Sequence, residues 1–218
     1  MKKTAALLAV LMILTAAANA FAEFTFREGI TWNMSKQDVR KCLRAEDGYE
    51  AYEIYDDEHE DIKAFLEQYS AKEKTNPQLW MVTVRNAFLY NPEDETIISM
   101  IGTNAQGLYT IACQIRPGSE EDGEWYRCAK EICGCLSEQY GGLTVKDRWE
   151  QREELEMRST VYQGYLQTED GTLIDLYMKK YMGEYGLYLE MHSPRAIQIV
   201  RDIVSGALYE ETASDDQP

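Results

Sequence analysis

The sequence predicts an α+β fold, built as two successive helix-plus-antiparallel-sheet units in a two-layer arrangement. Stretches with the helical period of about 3.6 residues alternate along the chain with stretches of period two. The resulting order is helices, three strands, a helix, three or four strands and a closing helix, with short turns between neighbouring strands. No β-α-β run with a glycine-rich crossover occurs, so a parallel nucleotide-binding sheet is not expected.

The first unit, residues 23–117, is predicted to begin with two helices. Ser35 can cap the first helix, whose buried stripe consists of Val39, Cys42 and Leu43. The second helix follows the acidic stretch 56–61. Its apolar residues recur at i, i+3, i+4 and i+7, namely Ile62, Phe65, Leu66 and Tyr69.

A three-stranded antiparallel sheet follows in this unit. The period changes to two from Leu79 to Tyr90, and this predicts that Trp80, Val82, Val84, Phe88 and Tyr90 share one face. Two further strands, 96–103 and 108–115, are predicted to form a hairpin across the turn 104–107.

The second unit, residues 118–209, contains the strongest helical pattern. We expect this helix to be capped by Ser119 and to end at Gly141. Its apolar stripe is Trp125, Ala129, Ile132, Cys133, Leu136 and Tyr140. The stretch 150–158 fits a short helix or a mobile loop, and both remain open.

The unit ends with antiparallel strands and a helix. Strands at 160–166 and 172–178 flank the turn residues Glu169, Asp170 and Gly171, and 186–191 forms a further strand. A closing helix then begins at Ser193-Pro194. Its apolar residues are Ala196, Ile197, Val200, Ile203, Val204 and Leu208. The polar segment 210–218 is predicted to be a disordered tail.

The N-terminus has the features of a secretory signal peptide. A basic start, Met1–Lys3, precedes the apolar run Ala5–Ala17, which falls short of the roughly 20 residues that span a bilayer. Small residues then allow cleavage after Ala20 or Ala22. We therefore expect residues 1–22 to be removed and the mature chain to be secreted, in the periplasm or outside the cell, without a membrane anchor.

The charge balance excludes two classes of partner. Lys and Arg number 22 against 38 Asp and Glu, which gives a formal net charge of −16. So negative a surface repels phosphodiester backbones and anionic lipid. Nucleic acid and membrane surfaces are therefore not expected partners.

The five cysteines limit the possible cross-links. Cys128, Cys133 and Cys135 fall on one predicted helix, where their spacing and direction prevent any of the three from bridging another. Only Cys42 and Cys113 remain as partners, so at most two intrachain disulfides can form. The alternative for C-x4-C-x-C, a zinc site, lacks the usual second ligand pair, and no metal is expected.

No catalytic or cofactor signature is present. His59 and His192 are the only histidines. His59 lies in the acidic stretch 56–61, which lacks the ligand order of an EF-hand and suits a helix N-terminus instead. His192 could orient a thiol of Cys128 or Cys135, and this keeps a hydrolase as one alternative. The main prediction is that the protein is not an enzyme and needs no cofactor.

A surplus of tyrosine marks the C-terminal strands. Six tyrosines are candidate binding residues: Tyr162, Tyr165, Tyr177, Tyr181, Tyr185 and Tyr188. An antiparallel sheet with one solvated face exposes alternate residues, and exposed tyrosine is useful in protein interfaces or for stacking on sugar rings. Cross-strand tyrosine ladders that only stabilise the sheet are the alternative.

Several short motifs resemble those of a group of exported proteins. The segment Phe26–Ser35 with Val39 resembles the opening F-R-G-I-x-W-G-x-S-x-x-x-V of many small, uncharacterised exported bacterial proteins, although Asn33 replaces its glycine. Further matches are Gly107–Ile111, Tyr140–Gly141 and Asp170–Leu176. The resemblance implies a two-layer arrangement similar to the β-lactamase-inhibitor-like and outer-membrane-assembly small-lipoprotein folds. It transfers no catalytic residue.

These observations together predict a secreted, non-catalytic binding protein that engages a protein partner outside the cytoplasm. A carbohydrate-binding module is the first alternative and would present coplanar exposed rings beside carboxylates. An uncharacterised hydrolase is the second, and would unite His192 or His59 with a thiol or carboxylates in a concave site.

Overall fold

The computed structural model describes residues 24–27, 29–46, 53–56, 59, 60, 63, 79–155 and 158–199. The predicted signal peptide, the apolar residues of the predicted second helix and the predicted tail lie outside the described residues.

Eight antiparallel strands within the described residues form one sheet. The strands are β1 (Glu53–Asp56), β2 (Leu79–Ala87), β3 (Glu95–Thr103), β4 (Gly107–Arg116), β5 (Thr144–Asp147), β6 (Arg158–Gln167), β7 (Leu173–Tyr181) and β8 (Glu184–His192). Their order across the sheet is β1-β2-β3-β4-β8-β7-β6-β5, and every neighbouring pair is antiparallel. The predicted α+β class with antiparallel strands is confirmed, in a fold that is mostly sheet.

Two of these strands were not predicted. β1 and β5 have four residues each and lie at the two edges of the sheet. All four side chains of β5 are exposed, and those of β1 are exposed or half-buried. Such short edge strands lack the alternation of apolar and polar residues that identifies a strand in a sequence.

The helices lie against one face of the sheet. Helix α1 (Lys36–Ala45) packs on β2, and helix α2 (Asp122–Tyr140) packs on β6, β7 and β8. In α1, Ser35 caps the helix as predicted, since its side chain accepts a hydrogen bond from the Asp38 amide at 3.2 Å. Val39 and Leu43 of the predicted stripe are completely buried, whereas Cys42 is half-buried.

The start of α2 differs from the prediction. The N-cap residue is Glu121, whereas Ser119 lies before the helix and its Oγ accepts from the Glu121 amide at 3.4 Å. The predicted stripe is otherwise confirmed, because Ala129, Ile132, Cys133 and Leu136 are buried together with Cys128.

A β-bulge ends the apolar alternation of β2. The register with β3 shifts between Val84 and Ala87, and Asn86 adopts a positive φ of 57°. Ala87 therefore takes the next buried position, and Phe88 is 40% exposed. The prediction that Phe88 and Tyr90 share one face with Trp80 was wrong, since a bulge exchanges the faces that later residues occupy.

The undecided stretch after β5 is a short 3-10 turn, Trp149–Gln151, followed by further turns up to residue 155.

Across the part of the chain that the structure describes, no helix combines the length and apolar character that spanning a membrane requires.

All five cysteines fall within the described ranges and are free thiols.

Candidate binding surface

The sheet has a second face, opposite α1 and α2, that carries polar and aromatic side chains. Because successive side chains in a strand alternate between faces, the residues between the buried positions of β4, β6, β7 and β8 share this side. We call it the outer face and define it by Thr110, Gln114, Arg116, Gln163, Tyr165, Asp175, Tyr177, Lys179, Tyr188, Glu190 and His192. All of these residues are half-buried or exposed.

A stacked tyrosine pair lies within this face. Tyr177 and Tyr188 are direct cross-strand partners on β7 and β8, with ring centroids 5.3 Å apart and planes 29° apart. The ammonium of Lys179 lies 4.3 Å from the centroid of the Tyr177 ring. Stacking and the cation–π contact hold both rings in one arrangement.

Glu190 contacts the pair through the hydroxyl of Tyr177. Its carboxylate accepts a 2.5 Å hydrogen bond from the Tyr177 hydroxyl and lies 3.3 Å from Nε2 of His192. The hydrogen bond to His192 is the largest influence on the pKa of Glu190, which lies below its ordinary value. Partial burial, followed by the bond to Glu190, raises the pKa of Tyr177. The Tyr177 hydroxyl is therefore a neutral donor at physiological pH.

His192 forms its side-chain contacts with a hydroxyl and a carboxylate. Its Nδ1 lies 3.2 Å from Oγ1 of Thr110, on the outer face. Cys128 is buried on the other side of the sheet, where its Sγ donates to Asp94 at 3.3 Å. The side-chain partners of His192 among the described residues are Thr110 and Glu190, and neither Cys128 nor Cys135, both of α2, is one of them.

Further polar contacts continue the surface towards β6. Gln163 Nε2 donates to Asp175 Oδ1 at 2.8 Å across the β6–β7 ladder. Tyr165, the direct partner of Asp175, is 43% exposed. The outer face therefore presents a row of side chains whose polar ends are already oriented by neighbours.

The six candidate tyrosines are divided between two environments. Tyr165 and Tyr181 are exposed, and Tyr177 and Tyr188 are half-buried on the outer face. Tyr162 and Tyr185, the other two candidates, are buried. Both lie on the face that α2 covers, where Tyr162 meets the ring of Tyr126 at 6.0 Å.

A core aromatic cluster explains why these two rings are buried. Tyr126 of α2 stacks on Trp149 with centroids 4.7 Å apart, and Tyr185 approaches Trp149 at 5.8 Å. The Tyr126 hydroxyl donates to Asp147 at 2.5 Å, and this bond raises the pKa of Tyr126 to about 12. The cluster joins α2 to β5 and to the second half of the sheet.

The chain after β8 covers one end of the outer face. In a helical turn at 196–199, Ala196 and Ile199 are buried against Tyr109, whereas Ile197 is 60% exposed. The structure describes the predicted closing helix only as far as residue 199.

The histidine in the acidic stretch has a structural contact. His59 meets the ring of Tyr55 edge-on, with centroids 4.5 Å apart, and Asp56 accepts from Arg40 at 2.7 Å. Among the residues that the structure describes, no group of three or more His, Cys, Asp or Glu side chains is arranged to hold a metal ion.

Comparisons with known proteins found no matching family model, no matching curated protein and no matching solved structure.

Proposed function

We propose that this chain is a secreted, non-catalytic binding protein, and that it engages a protein partner outside the cytoplasm through the outer face of its sheet. The observation that carries the proposal is the stacked pair of Tyr177 and Tyr188, held at 5.3 Å within a polar surface. The expected signal peptide in residues 1–22 supports export.

The outer face has the composition of a protein interface. Tyrosine provides a large apolar ring with few rotatable bonds and a hydroxyl that can pair with a partner. Tyr177 is already held by Glu190 and Lys179, so binding immobilises little that was free before. Exposed Tyr165 and Lys179 extend the same surface with groups that can adapt to a partner.

Charge indicates the kind of partner. The chain carries a formal net charge of −16, and Asp175 and Glu190 place carboxylates beside the tyrosine pair. A basic partner is attracted at long range and meets these carboxylates on docking. The partner is therefore proposed to be a protein with a basic patch.

We propose in addition that the fold comprises two successive units, as the sequence suggests. In the strand order, β1–β4 and β5–β8 form two consecutive runs that join where β4 pairs with β8. α1 packs on the first run and α2 on the second. A relation to β-lactamase-inhibitor-like and small-lipoprotein folds remains a prediction from the sequence motifs.

A carbohydrate-binding module is the second candidate. The rings of Tyr177 and Tyr188 lie beside Asp175 and Glu190. Such rings are suited to stacking on a sugar, and the neighbouring carboxylates can accept hydrogen bonds from its hydroxyl groups. Because the two rings stack on each other, each offers only part of its surface to a ligand. The protein partner is therefore preferred.

Capture by the mature chain tests the proposal. Immobilised wild-type protein, Tyr177→Ala and the control Phe88→Ala are exposed to native envelope extract and culture fluid. Phe88 is 40% exposed and lies outside the outer face. We expect a protein bound by wild type and by Phe88→Ala, with affinity for Tyr177→Ala lowered about tenfold or more.

Equal capture by all three variants, with unchanged thermal unfolding, would contradict the proposal. A glycan array probed with the same three proteins tests the second candidate. Glycan hits that disappear only with Tyr177→Ala would favour the carbohydrate-binding module.

A further inference from the structure

One end of β8 has an edge that no described strand pairs. β7 pairs with β8 from Glu184 to His192, whereas β4 pairs with it only from Leu187 to His192. The segment from Glu184 to Gly186 is therefore hydrogen-bonded on one side only, as far as the described residues show. Unpaired backbone N–H and C=O groups along such an edge form a template for an added strand.

The chain after β4 turns away from this edge. Pro117 follows the strand directly and has no backbone N–H with which to continue the ladder. The amide of Gly118 then donates to Asp94 Oδ1 at 3.3 Å, next to the start of β3. A Cβ at Gly118 would lie 2.8 Å from the carbonyl oxygen of Glu93, so this approach requires glycine. The edge of β8 is left open because the chain is anchored on the β3 side.

A groove of about 930 Å³ lies along the open edge. It lies between the end of β4, the N-terminal turn of α2 and the β7–β8 hairpin, and we call it the β8 groove. Aromatic rings of Trp125, Tyr181, Tyr185 and Tyr188 line it. Gly186 leaves room for the Tyr188 ring, since a Cβ there would lie 2.7 Å from that ring. The volume falls within the range of about 300 to 1,000 Å³ typical of ligand sites.

Each of the three cationic side chains that line the groove already contacts another side chain. Arg116 forms an ion pair with Glu120, and Lys180 lies 3.6 Å from Glu153. Lys179 lies over the ring of Tyr177.

Two groove carboxylates remain available to a ligand. Asp122 accepts only a 3.4 Å hydrogen bond from the Tyr185 hydroxyl, and exposed Glu184 contacts no cation within the described part of the chain. Asp122 and Glu184 are therefore the groove carboxylates with which a basic ligand can pair, and the net charge of −16 attracts such a ligand at long range.

From these contacts we infer that the β8 groove binds an extended, basic segment of the partner protein by strand addition. The inference rests on the proposed function and deepens it, because it assigns a backbone-pairing site beside the outer face. The segment pairs its backbone with β8 between Glu184 and Gly186. Its Lys or Arg side chains approach Glu184 and Asp122 and pack on the rings of Tyr181 and Tyr188.

Defined peptides test the inference without the native partner. A fluorescent, blocked peptide of alternating lysine and valine is titrated with the mature protein and followed by anisotropy. We expect saturable binding below about 1 mM. The same sequence with every backbone nitrogen methylated and the corresponding glutamate–valine peptide are expected not to bind. Amide exchange of residues 184–186 is expected to slow when the lysine–valine peptide is bound.

A matched pair of variants locates the site. Glu184→Gln is expected to weaken peptide binding about fivefold at low salt, because one exposed charge contact is lost. Glu138→Gln makes the same change on the exposed surface of α2, away from the groove, and is expected to bind as wild type.

Absence of lysine–valine binding would overturn the inference, and so would equal binding of the methylated peptide or equal effects of the two variants. Because these measurements use no native partner, their failure leaves the capture experiment on Tyr177 standing. Failure of that capture experiment, in turn, does not alter the peptide result.

Discussion

The indole Nε1 of Trp32 donates a 2.9 Å hydrogen bond to Oγ1 of Thr172, across a separation of 140 positions in the sequence. Both residues are buried. The same N-terminal segment also binds the β6–β7 turn through Phe24, whose amide donates to Asp170 Oδ2 at 3.1 Å. Stacking of the Phe24 ring on Trp32 at 4.4 Å supports both contacts. The segment thereby connects the start of the described chain to the second half of the sheet.

Removing the Thr172 hydroxyl, which accepts the hydrogen bond from Trp32, is expected to destabilise the protein. Thr172→Val keeps the shape of the side chain but leaves the buried indole N–H of Trp32 without its partner, at a cost of about 1 to 3 kcal/mol. Thr172→Ser retains the hydroxyl and is expected to cost less. Urea unfolding of the three proteins measures the difference, and equal losses for both variants would show that the hydrogen bond contributes nothing.

Replacing glycine by alanine at two positions is expected to change the stability of the protein in opposite directions. A Cβ at Gly134, within α2, meets no atom within 4 Å, so Gly134→Ala should stabilise the protein by up to about 1 kcal/mol through helix propensity. A Cβ at Gly102 would overlap the buried indole ring of Trp80, so Gly102→Ala should cost about 1 to 3 kcal/mol. Thermal unfolding checks both signs, and a stabilised Gly102→Ala would refute this packing.

Thiol reactivity should separate the five cysteines into two groups. Burial raises the pKa of Cys113 to about 12, and burial with nearby Asp94 raises the pKa of Cys128. Together with buried Cys133, these thiols should not react with a disulfide reagent in the native protein. Cys42 and Cys135 are half-buried and should react, Cys135 slowly because its pKa is also raised.

Counting the thiols that a disulfide reagent modifies tests this prediction. We expect two of the five thiols to react in the folded chain and all five in denaturant. Cys42→Ser and Cys135→Ser should each lower the native count by one. More than two reactive thiols in the folded protein would mean that a cysteine described as buried is accessible.

Glu190 should make part of the stability pH-dependent. The hydrogen bond to His192 keeps its folded-state pKa below the ordinary 4.5. A depressed carboxyl pKa contributes stability above the unfolded-state value, and this contribution is lost as the pH falls through the folded-state pKa. The difference in unfolding free energy between wild type and Glu190→Gln should therefore be largest near neutral pH and shrink below about pH 4.5.

Denaturant unfolding from about pH 3 to 7 checks this dependence, with Glu138→Gln on the exposed surface of α2 as the control. A difference that grows as the pH falls would contradict the assigned role of Glu190. The control should show no comparable change between the two ends of this range.

Local patterns in the sequence were sufficient for much of the secondary structure. Ser35 with the stripe of Val39 and Leu43 identified α1, and the stripe from Ala129 to Leu136 identified α2. Periods of two identified six of the eight strands and their turns. These features are visible because each depends on residues close together in the chain.

The binding surface could be anticipated only as a set of tyrosines. Strand periodicity shows that Tyr185 and Tyr188 point to opposite faces, but it does not show which face α2 covers. That depends on the contacts of Trp125 and Tyr126 with strands more than 20 residues away in sequence, as in the 21-position separation of Tyr126 and Asp147. The assignment of Tyr188 to the outer face and of Tyr185 to the core is therefore tertiary information.

The amino-acid pattern alone determined the acidic character, the antiparallel strand order within each hairpin and the main helices, because charge counts and hydrophobic periods are local properties. The three-dimensional fold decided the pairing of β4 with β8, the open edge at Glu184–Gly186 and the contacts of Glu190 with Tyr177 and His192. The pairing and the edge arise where segments distant in the sequence meet. No local period encodes which of those segments become neighbours.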